Sequence, residues 1–367
     1  MVNDRAEQTG GPRYGWTTGA CALASTAAAY TALLTGEFPD PVRVRLPKGH
    51  EPSFALDREL LEEDRATAGV VKDAGDDPDV THGAVVGVTV SRGEPGSGVT
   101  FRAGTGVGTI TKPGLPLPVG EPAVNPVPRR LIGELVAEIA ATHVDSGDLV
   151  VEAWVEEGAE LARHTWNPRL GIVGGLSILG TTGVVIPYSC SAWIDSIRRG
   201  VDVARAEGLR HVAGCTGSTS ERTVTELHGL PEEALLDMGD FAGAVLKYLR
   251  RHPVPRLTVA GGIGKLAKLA DGHLDLHSKR SQVDFARLAG LVERAGGSAR
   301  LSERVARANT ALDALEASAE EGVALGDLVA RGARDVALAT LEGAPIEVEI
   351  VVIDRAGTIK GRCPPGG

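Results

Sequence analysis

Hydrophobic periodicity divides the chain into two stretches of different character. Past a polar, glycine-rich opening over residues 1–12, which reads as a loose tail, the small-residue run Ala20 to Leu34 predicts a helix. Thr17 or Thr18 stands where a hydroxyl caps the first turn, and Gly36 closes the helix. Its alanine-rich face lets another backbone approach closely. Pro41 to Leu46 alternates apolar and charged residues, a half-buried strand, with Phe54 to Leu56 as its partner. Strands around 67–72, 84–91 and 98–103 complete a sheet. A proline-rich loop from Pro113 to Pro128 leads into a helix with Pro128 near its first position, where proline loses no intrahelical bond. Leu131, Leu135, Val136 and Ile139 keep one face of that helix apolar, and Leu149 to Val155 is again a strand. Up to this point the pattern is α+β.

Beyond Arg163–Arg169 the chain repeats strand, glycine turn and helix. Strands are expected over Ile178–Ile186, His211–Ala213, Arg256–Ala260 and Ile346–Ile353. Helices are expected over about 191–207, 238–251, 281–295, 302–319 and 326–341. Alternating β and α with glycine at strand ends predicts an open parallel sheet with helices on both faces. The expected organisation is therefore an α+β domain over residues 1–165, an α/β domain over 166–345, and a C-terminal strand and tail over 346–367. No internal repeat of fixed period is visible.

Composition narrows the function classes. At 367 residues two domains are the default. A formal net charge of −10 argues against a nucleic-acid partner, which needs a surplus of cations on one face, but leaves room for an anionic small molecule in a local basic pocket. Cys21, Cys190, Cys215 and Cys363 lie far apart with no Cys-x-x-Cys, which suits free thiols in a reducing cytoplasm. The opening residues show no basic n-region followed by an apolar h-region, so no secretory signal is expected. The most apolar segment, Leu170 to Val185, is interrupted by five glycines and reads poorly as a membrane span.

Candidate chemistry centres on Val70 to Thr81. An apolar pair runs into Lys72, Asp73, Gly75, Asp76, Asp77, Pro78 and Asp79, a tight polar turn leaving a strand. Four carboxylates in seven residues repel one another unless a cation sits among them, and Lys72 alone does not balance them. Single aspartates of this kind also cap turns. Gly104, Gly106 and Gly108 imitate a dinucleotide fingerprint, but Thr109 to Pro118 cannot open the required helix. Gly264-Lys265 after a strand imitates a phosphate loop. Val259 stands in place of its first glycine and Leu266 in place of its hydroxyl residue, so only a helix start favouring an anion remains, with Lys265 adding a full charge. The Thr-Thr-Gly triplets at 17–19 and 181–183 suit helix capping and ligand contact equally. His273 and His277 have helical spacing in a segment that argues against a helix, and no ligand set completes a metal site.

Together these runs resemble the cobalt-precorrin-5B C1-methyltransferases of anaerobic cobalamin biosynthesis. In order along the chain they are Tyr14 to Cys21 (YGWTTGAC), Val70 to Val80 (VVKDAGDDPDV), Gly104 to Gly108 (GTGVG), Pro113 to Pro116 (PGLP) and Asn125 to Arg129 (NPVPR). Asn167 to Gly175 (NPRLGIVGG), Ser177 to Gly183 (SILGTTG), the glycine turn at 214–221 and Gly264-Lys265 follow. The resemblance covers residues 13–355; Ala20, where Ser or Thr is expected, and the Cys215 turn depart from it.

It implies a two-domain protein with an α+β N-terminal part and a Rossmann-like C-terminal part. It also implies transfer of a methyl group from S-adenosyl-L-methionine to C1 of cobalt-precorrin-5B, giving cobalt-precorrin-6A, with the cobalt carried by the substrate and no protein-bound metal. The cofactor candidates are Thr17, Thr18, Gly19, Lys72, Asp77, Gly180, Thr181, Thr182, Gly214, Gly217, Gly262 and Gly264. Asp73 and Asp76 are the candidate catalytic carboxylates. Arg129, Arg130, Arg169, Lys265 and Lys279 are the candidate partners of the tetrapyrrole's carboxylates. A carrier of the tetrapyrrole without its own chemistry, and an enzyme taking a phosphate ligand at Gly262–Lys265, stay open as alternatives, as does a homo-oligomeric state.

Overall fold

The computed structural model describes residues 11–366, so the expected tail over residues 1–12 lies almost wholly outside the described residues. The first described elements are β1 (Gly15–Trp16) and α1 (Thr18–Thr35). The Thr17 hydroxyl accepts the Ala20 N–H, and Gly36 ends α1 in the left-handed region. Nearly every side chain of α1 is buried, and small residues allow this: the Ser25 hydroxyl donates to the Val86 carbonyl at 3.0 Å. A bulkier face would hold helix and sheet apart.

The sheet under α1 is built from β4 (Leu56–Leu61), β5 (Arg65–Val71), β6 (Val85–Arg92), β7 (Val99–Ala103) and β9 (Leu149–Val155), in the order β4-β5-β6-β9-β7. All neighbours run antiparallel except β7, which is parallel to β9. Strand β9 buries Leu149, Val151, Ala153 and Val155 alternately, the period-2 pattern its sequence predicts. Between its buried positions Trp154 lays its ring over β6, where a Cβ on Gly87 would stand 2.0 Å from the indole. Smaller pairs close the unit: β2 (Val42–Arg43) with β3 (Ser53–Phe54), β8 (Thr109–Ile110) with β10 (Ile172–Val173), and β1 with β11 (Val184–Val185). Helix α2 (Pro126–His143) begins two residues before the expected Pro128, with Pro126 in its first turn. Helix α3 (Gly158–Ala162) is short.

The chain divides into two compact units, Met1–Cys190 and Ser191–Gly367. The division follows from β8–β10 and β1–β11, which tie residues 172–185 to the first unit, whereas the sequence pattern suggests a boundary after 165. The strand expected over 178–186 shrinks to β11, because Gly180 and Gly183 have positive φ and break an extended run.

In the second unit, α4 (Cys190–Ala206) precedes β12 (His211–Cys215), α5 (Ser218–His228), β13 (Leu235–Asp237), α6 (Ala242–Arg251), β14 (Arg256–Gly262) and α7 (Ile263–Ala270). Then follow α8 (Phe285–Arg294), α9 (Ala299–Ala306), α10 (Ala311–Glu320), α11 (Leu325–Leu341), β15 (Glu347–Ile353) and β16 (Ile359–Cys363). The sheet order is β13-β12-β14-β15-β16. Four strands are parallel, but β16 turns back antiparallel on β15, so the sheet is mixed, not wholly parallel. Strand β15, expected to stand apart at the end of the chain, is an inner strand. Its alternate residues feed two apolar clusters: Val348, Ile350 and Val352 join α6, α7 and α11, while Val351 and Ile353 meet Val224 of α5. The single helix expected over 302–319 is two, parted where Thr310 and Asp313 form a reciprocal cap.

Candidate functional site

Three stretches of the first unit, 13–19, 72–82 and 177–188, are laced together by backbone bonds. The Trp16 N–H donates to the Asp73 carbonyl (2.7 Å), Thr17 N–H to Gly183 (3.0 Å) and Asp76 N–H to Arg13 (3.0 Å). Within this knot every aspartate of the turn has a partner. Arg13 grips the Asp73 carboxylate with both terminal nitrogens, and that hydrogen bond, against the effect of burial, holds the Asp73 carboxyl below the usual range. Asp76 accepts the Arg13 N–H at 2.6 Å and Asp77 accepts the Tyr188 N–H at 2.8 Å. Lys72, only 1% exposed, donates to Asp79 at 2.8 Å. Burial alone would raise the Asp79 carboxyl, but Lys72 and Thr81 outweigh it and hold it low. The missing counter-charge is thus Arg13, sixty positions upstream of Asp73. Nothing in the spacing of the two announces this. His82 also enters the knot, its Nδ1 accepting the Ala74 N–H at 3.1 Å.

The two Thr-Thr-Gly triplets meet each other. The Leu179 N–H donates to the Thr18 hydroxyl (3.0 Å), the Gly19 N–H donates to the Leu179 carbonyl (2.8 Å), and a Cβ on Gly180 would strike Thr17. Thr182 turns its hydroxyl to Val184, and Thr181 is exposed. Thr17, Thr18 and Gly19 therefore spend polar groups inside the protein, and Gly180 is packed against Thr17.

Basic candidates divide in the same way. Arg129 donates to the Val124 and Pro122 carbonyls (2.7 and 3.0 Å), pairs with Glu121 and lies over Phe101, so it braces the start of α2. Arg130 pairs with Glu134, Arg169 lies over the Trp166 ring, and Lys279 is exposed. Lys265 reaches the Thr216 carbonyl (3.1 Å) and Asp240 (3.2 Å).

A second grouping lies in the second unit, at the C-terminal ends of β12, β14 and β15. A cleft of about 710 Å³ opens there, lined among others by Ser218, Thr219, Lys265, Thr310, Asp354 and Arg355. Gly217, Gly262 and Gly264 line it too, so four of the sequence-derived candidates come together. Gly214 does not join them; its missing side chain faces Met238 and Val245 in the core. Helices α5, α7 and α10 start at this cleft. Thr310 caps α10, whereas the glycines preceding α5 and α7 give those helices no side-chain cap, leaving first-turn N–H groups for a ligand. No atom lies within 4 Å of where a Cβ on Gly217 or Gly262 would stand. Thr310, Asp354 and Arg355 have no signal in the sequence, since only the sheet brings them beside Gly262.

One further cluster appears at depth. His211, His228 and Glu349 hold ligand atoms within 4.8 Å of one another. Glu349 is fully buried and engaged by Thr258, Arg256 and Arg362, and burial pushes the His211 imidazole down to about 4.

These residues and both units define a member of a known family: the chain belongs to the CbiD family, whose model matches residues 5–187, with the CbiD C-terminal domain matching 275–364. Curated relatives carry a more particular name. Proteins of Brucella canis and Brucella abortus, each called cobalt-precorrin-5B C(1)-methyltransferase, are 60% identical over 350 residues, 95% of either chain. That of Brucella anthropi, with the same name and coverage, is 58% identical. A solved cobalamin biosynthesis protein (cbiD) from Archaeoglobus fulgidus aligns over 85% of each chain with 23% identity and a TM-score of 0.38.

Proposed function

We propose that this protein transfers a methyl group from S-adenosylmethionine to C1 of cobalt-precorrin-5B, giving cobalt-precorrin-6A in anaerobic cobalamin biosynthesis. The carrying observation is 60% identity over 95% of the chain, across both units, to relatives named for that reaction. We read the second unit as a Rossmann-like core with an antiparallel edge strand added, and its cleft as the cofactor site. Ligands of such sheets lie beyond the strand C-termini, where this cleft opens. The lining suits the cofactor's parts. Uncapped N–H groups of α5 and α7 with Arg355 favour a carboxylate, and Ile263, Leu312 and Ile353 suit a purine, while Asp354 holds its own loop through the Ala356 and Thr358 N–H groups and pairs with Lys360. When bound, the cofactor supplies a methyl group on a sulfonium that is its own leaving group. The chain's task is then chiefly to hold the reactants in line, worth up to about 7–11 kcal/mol. Asp73, kept ionised by Arg13, is a poor proton acceptor and serves as fixed negative charge, with Asp76 beside it. No helix among the described residues is long and apolar enough to cross a membrane. With no disulfide among the described residues, a cytoplasmic enzyme is the reading we favour.

S-adenosylhomocysteine at about 100 times its Kd should stabilise the fold by roughly 2.7 kcal/mol, a melting-temperature rise of a few degrees. An anaerobic single-turnover assay with labelled cofactor, the methyl position located by NMR, tests the chemistry. Tetrapyrrole binding without a cofactor response or turnover would leave the carrier reading instead. Asp73→Asn keeps an acceptor for the Gly75 N–H and loses only a half-exposed ion pair, so the urea midpoint should move by well under about 1 kcal/mol. The single-turnover rate should fall about tenfold. A variant that is unstable yet fully active would remove Asp73 from the chemistry.

A further inference from the structure

Exposed apolar side chains gather on the loops of the first unit's knot. Tyr14 is 46% exposed, Ile186 54% and Tyr188 71%, and Leu179 and Val80 on the same three stretches are also open to solvent. Tyr14 and Ile186 each stand one residue beyond the Gly15–Val185 pair that ends the β1–β11 ladder. Single exposed hydrophobics need no explanation, but a group held on one knot does.

Tyr188 adds a second observation. Its φ of +58° lies in the left-handed region, where a bulky side chain is strained. The Asp77 carboxylate holds it there by accepting its N–H at 2.8 Å. Strain of this kind persists only where neighbouring structure enforces it, and it gathers where ligands bind.

We infer that Tyr14, Ile186 and Tyr188 form the platform on which one face of the tetrapyrrole substrate lies, with Asp77 as the positioning residue for Tyr188. The inference rests on the proposed methyl transfer for its ligand. A macrocycle has broad apolar faces that match a tyrosine and an aliphatic surface, and a rim of carboxylates that needs cations nearby. The knot is not a bare anionic surface: Asp73 pairs with Arg13, Asp79 pairs with Lys72, and Asp76 and Asp77 are turned to backbone N–H groups. Arg13, though paired with Asp73, is 57% exposed and precedes Tyr14 in the chain. Exposed Lys48 lies on the turn after Leu46, whose side chain packs against Gly183 of the same knot.

The test is an anaerobic absorbance titration with cobalt-precorrin-5B, beside S-adenosylhomocysteine binding and urea midpoints. Tyr188→Gly suits the left-handed backbone, so its midpoint should not fall, yet macrocycle affinity should drop about tenfold while S-adenosylhomocysteine affinity stays unchanged. Tyr188→Phe should bind as the wild type does, because the ring and not the hydroxyl makes the surface. Wild-type macrocycle affinity in Tyr188→Gly overturns the inference while leaving the methyltransferase reading intact. Conversion of a wild-type dimer to a monomer by Tyr188→Gly, with affinity retained, also overturns it and marks the patch as a contact between copies. A wild type that neither binds nor methylates the macrocycle brings down the functional reading, and the platform with it.

Discussion

Replacing Lys72 by alanine lowers the stability of the first unit by about 2–3 kcal/mol, less than the cost of breaking a fully buried ion pair because the Asp79 side chain is 27% exposed. Lys72 is almost wholly inaccessible, and its ammonium is 2.8 Å from the Asp79 carboxylate, which also receives both donors of Thr81. Removing the lysine leaves a cavity beside the partly exposed Asp79 carboxylate, with only the Thr81 donors still holding it. Cys21, buried nearby with a thiol pushed up to about 12 chiefly by burial, offers no compensating charge. The pH dependence follows from Asp79. Its folded pKa is depressed, so its contribution is complete above the ordinary carboxylate value and is lost as pH falls through the lower folded value. The gap between wild type and Lys72→Ala should therefore be widest near neutrality and narrow in acid. Urea unfolding followed by tryptophan fluorescence reads this well, because Trp16, Trp154 and Trp166 belong to the first unit. The double variant Lys72→Met, Asp79→Asn removes both charges and should restore much of the loss. An unchanged midpoint in Lys72→Ala would show that the pair contributes nothing.

The regular part of the fold was legible because burial imposes a period. Strand β9 alternates strictly, β5 and β6 are largely apolar and buried over consecutive residues, and α1 is a run of small residues between a threonine and a glycine. What escaped is set by partners distant in sequence. Residues 166–190 have no pattern that assigns them to one unit; their pairing with β1 and β8 decides it. Strand β16 is short and half exposed, so only its register with β15 identifies it. The same holds for the candidate sites. Gly217, Gly262 and Gly264 could be read as ligand-facing turns, since glycine before a helix at a strand end is a local signal. The grip of Arg13 on Asp73 and the gathering of His211, His228 and Glu349 are long-range and invisible in one dimension. Arg129 carries a further lesson: a basic residue beside a proline-rich loop looks available for a substrate carboxylate, but two backbone carbonyls left free by that loop claim it first.

Gly262→Leu should abolish measurable cofactor binding, a loss of about a hundredfold or more, while leaving the fold unchanged. Its backbone, φ −66° and ψ 150°, is open to any residue, so the substitution introduces no conformational strain. No atom lies within 4 Å of the added Cβ, and Gly262 lines the cleft, so the new side chain grows into the space proposed for the ligand. A branched side chain of that size excludes a ligand from a cleft of about 710 Å³ by overlap, not by distorting its walls. Gly262→Ala, one methyl group, should weaken binding by less and fix the direction of the series. Calorimetric titration with S-adenosylhomocysteine gives the affinities, and urea midpoints within about 0.5 kcal/mol of wild type certify the fold. The two readings of the cleft make opposite forecasts. If the cofactor is held there, affinity falls in step with side-chain volume; if the glycine only terminates β14, Gly262→Leu binds S-adenosylhomocysteine as well as the wild type, and the cofactor site must be sought elsewhere in the protein.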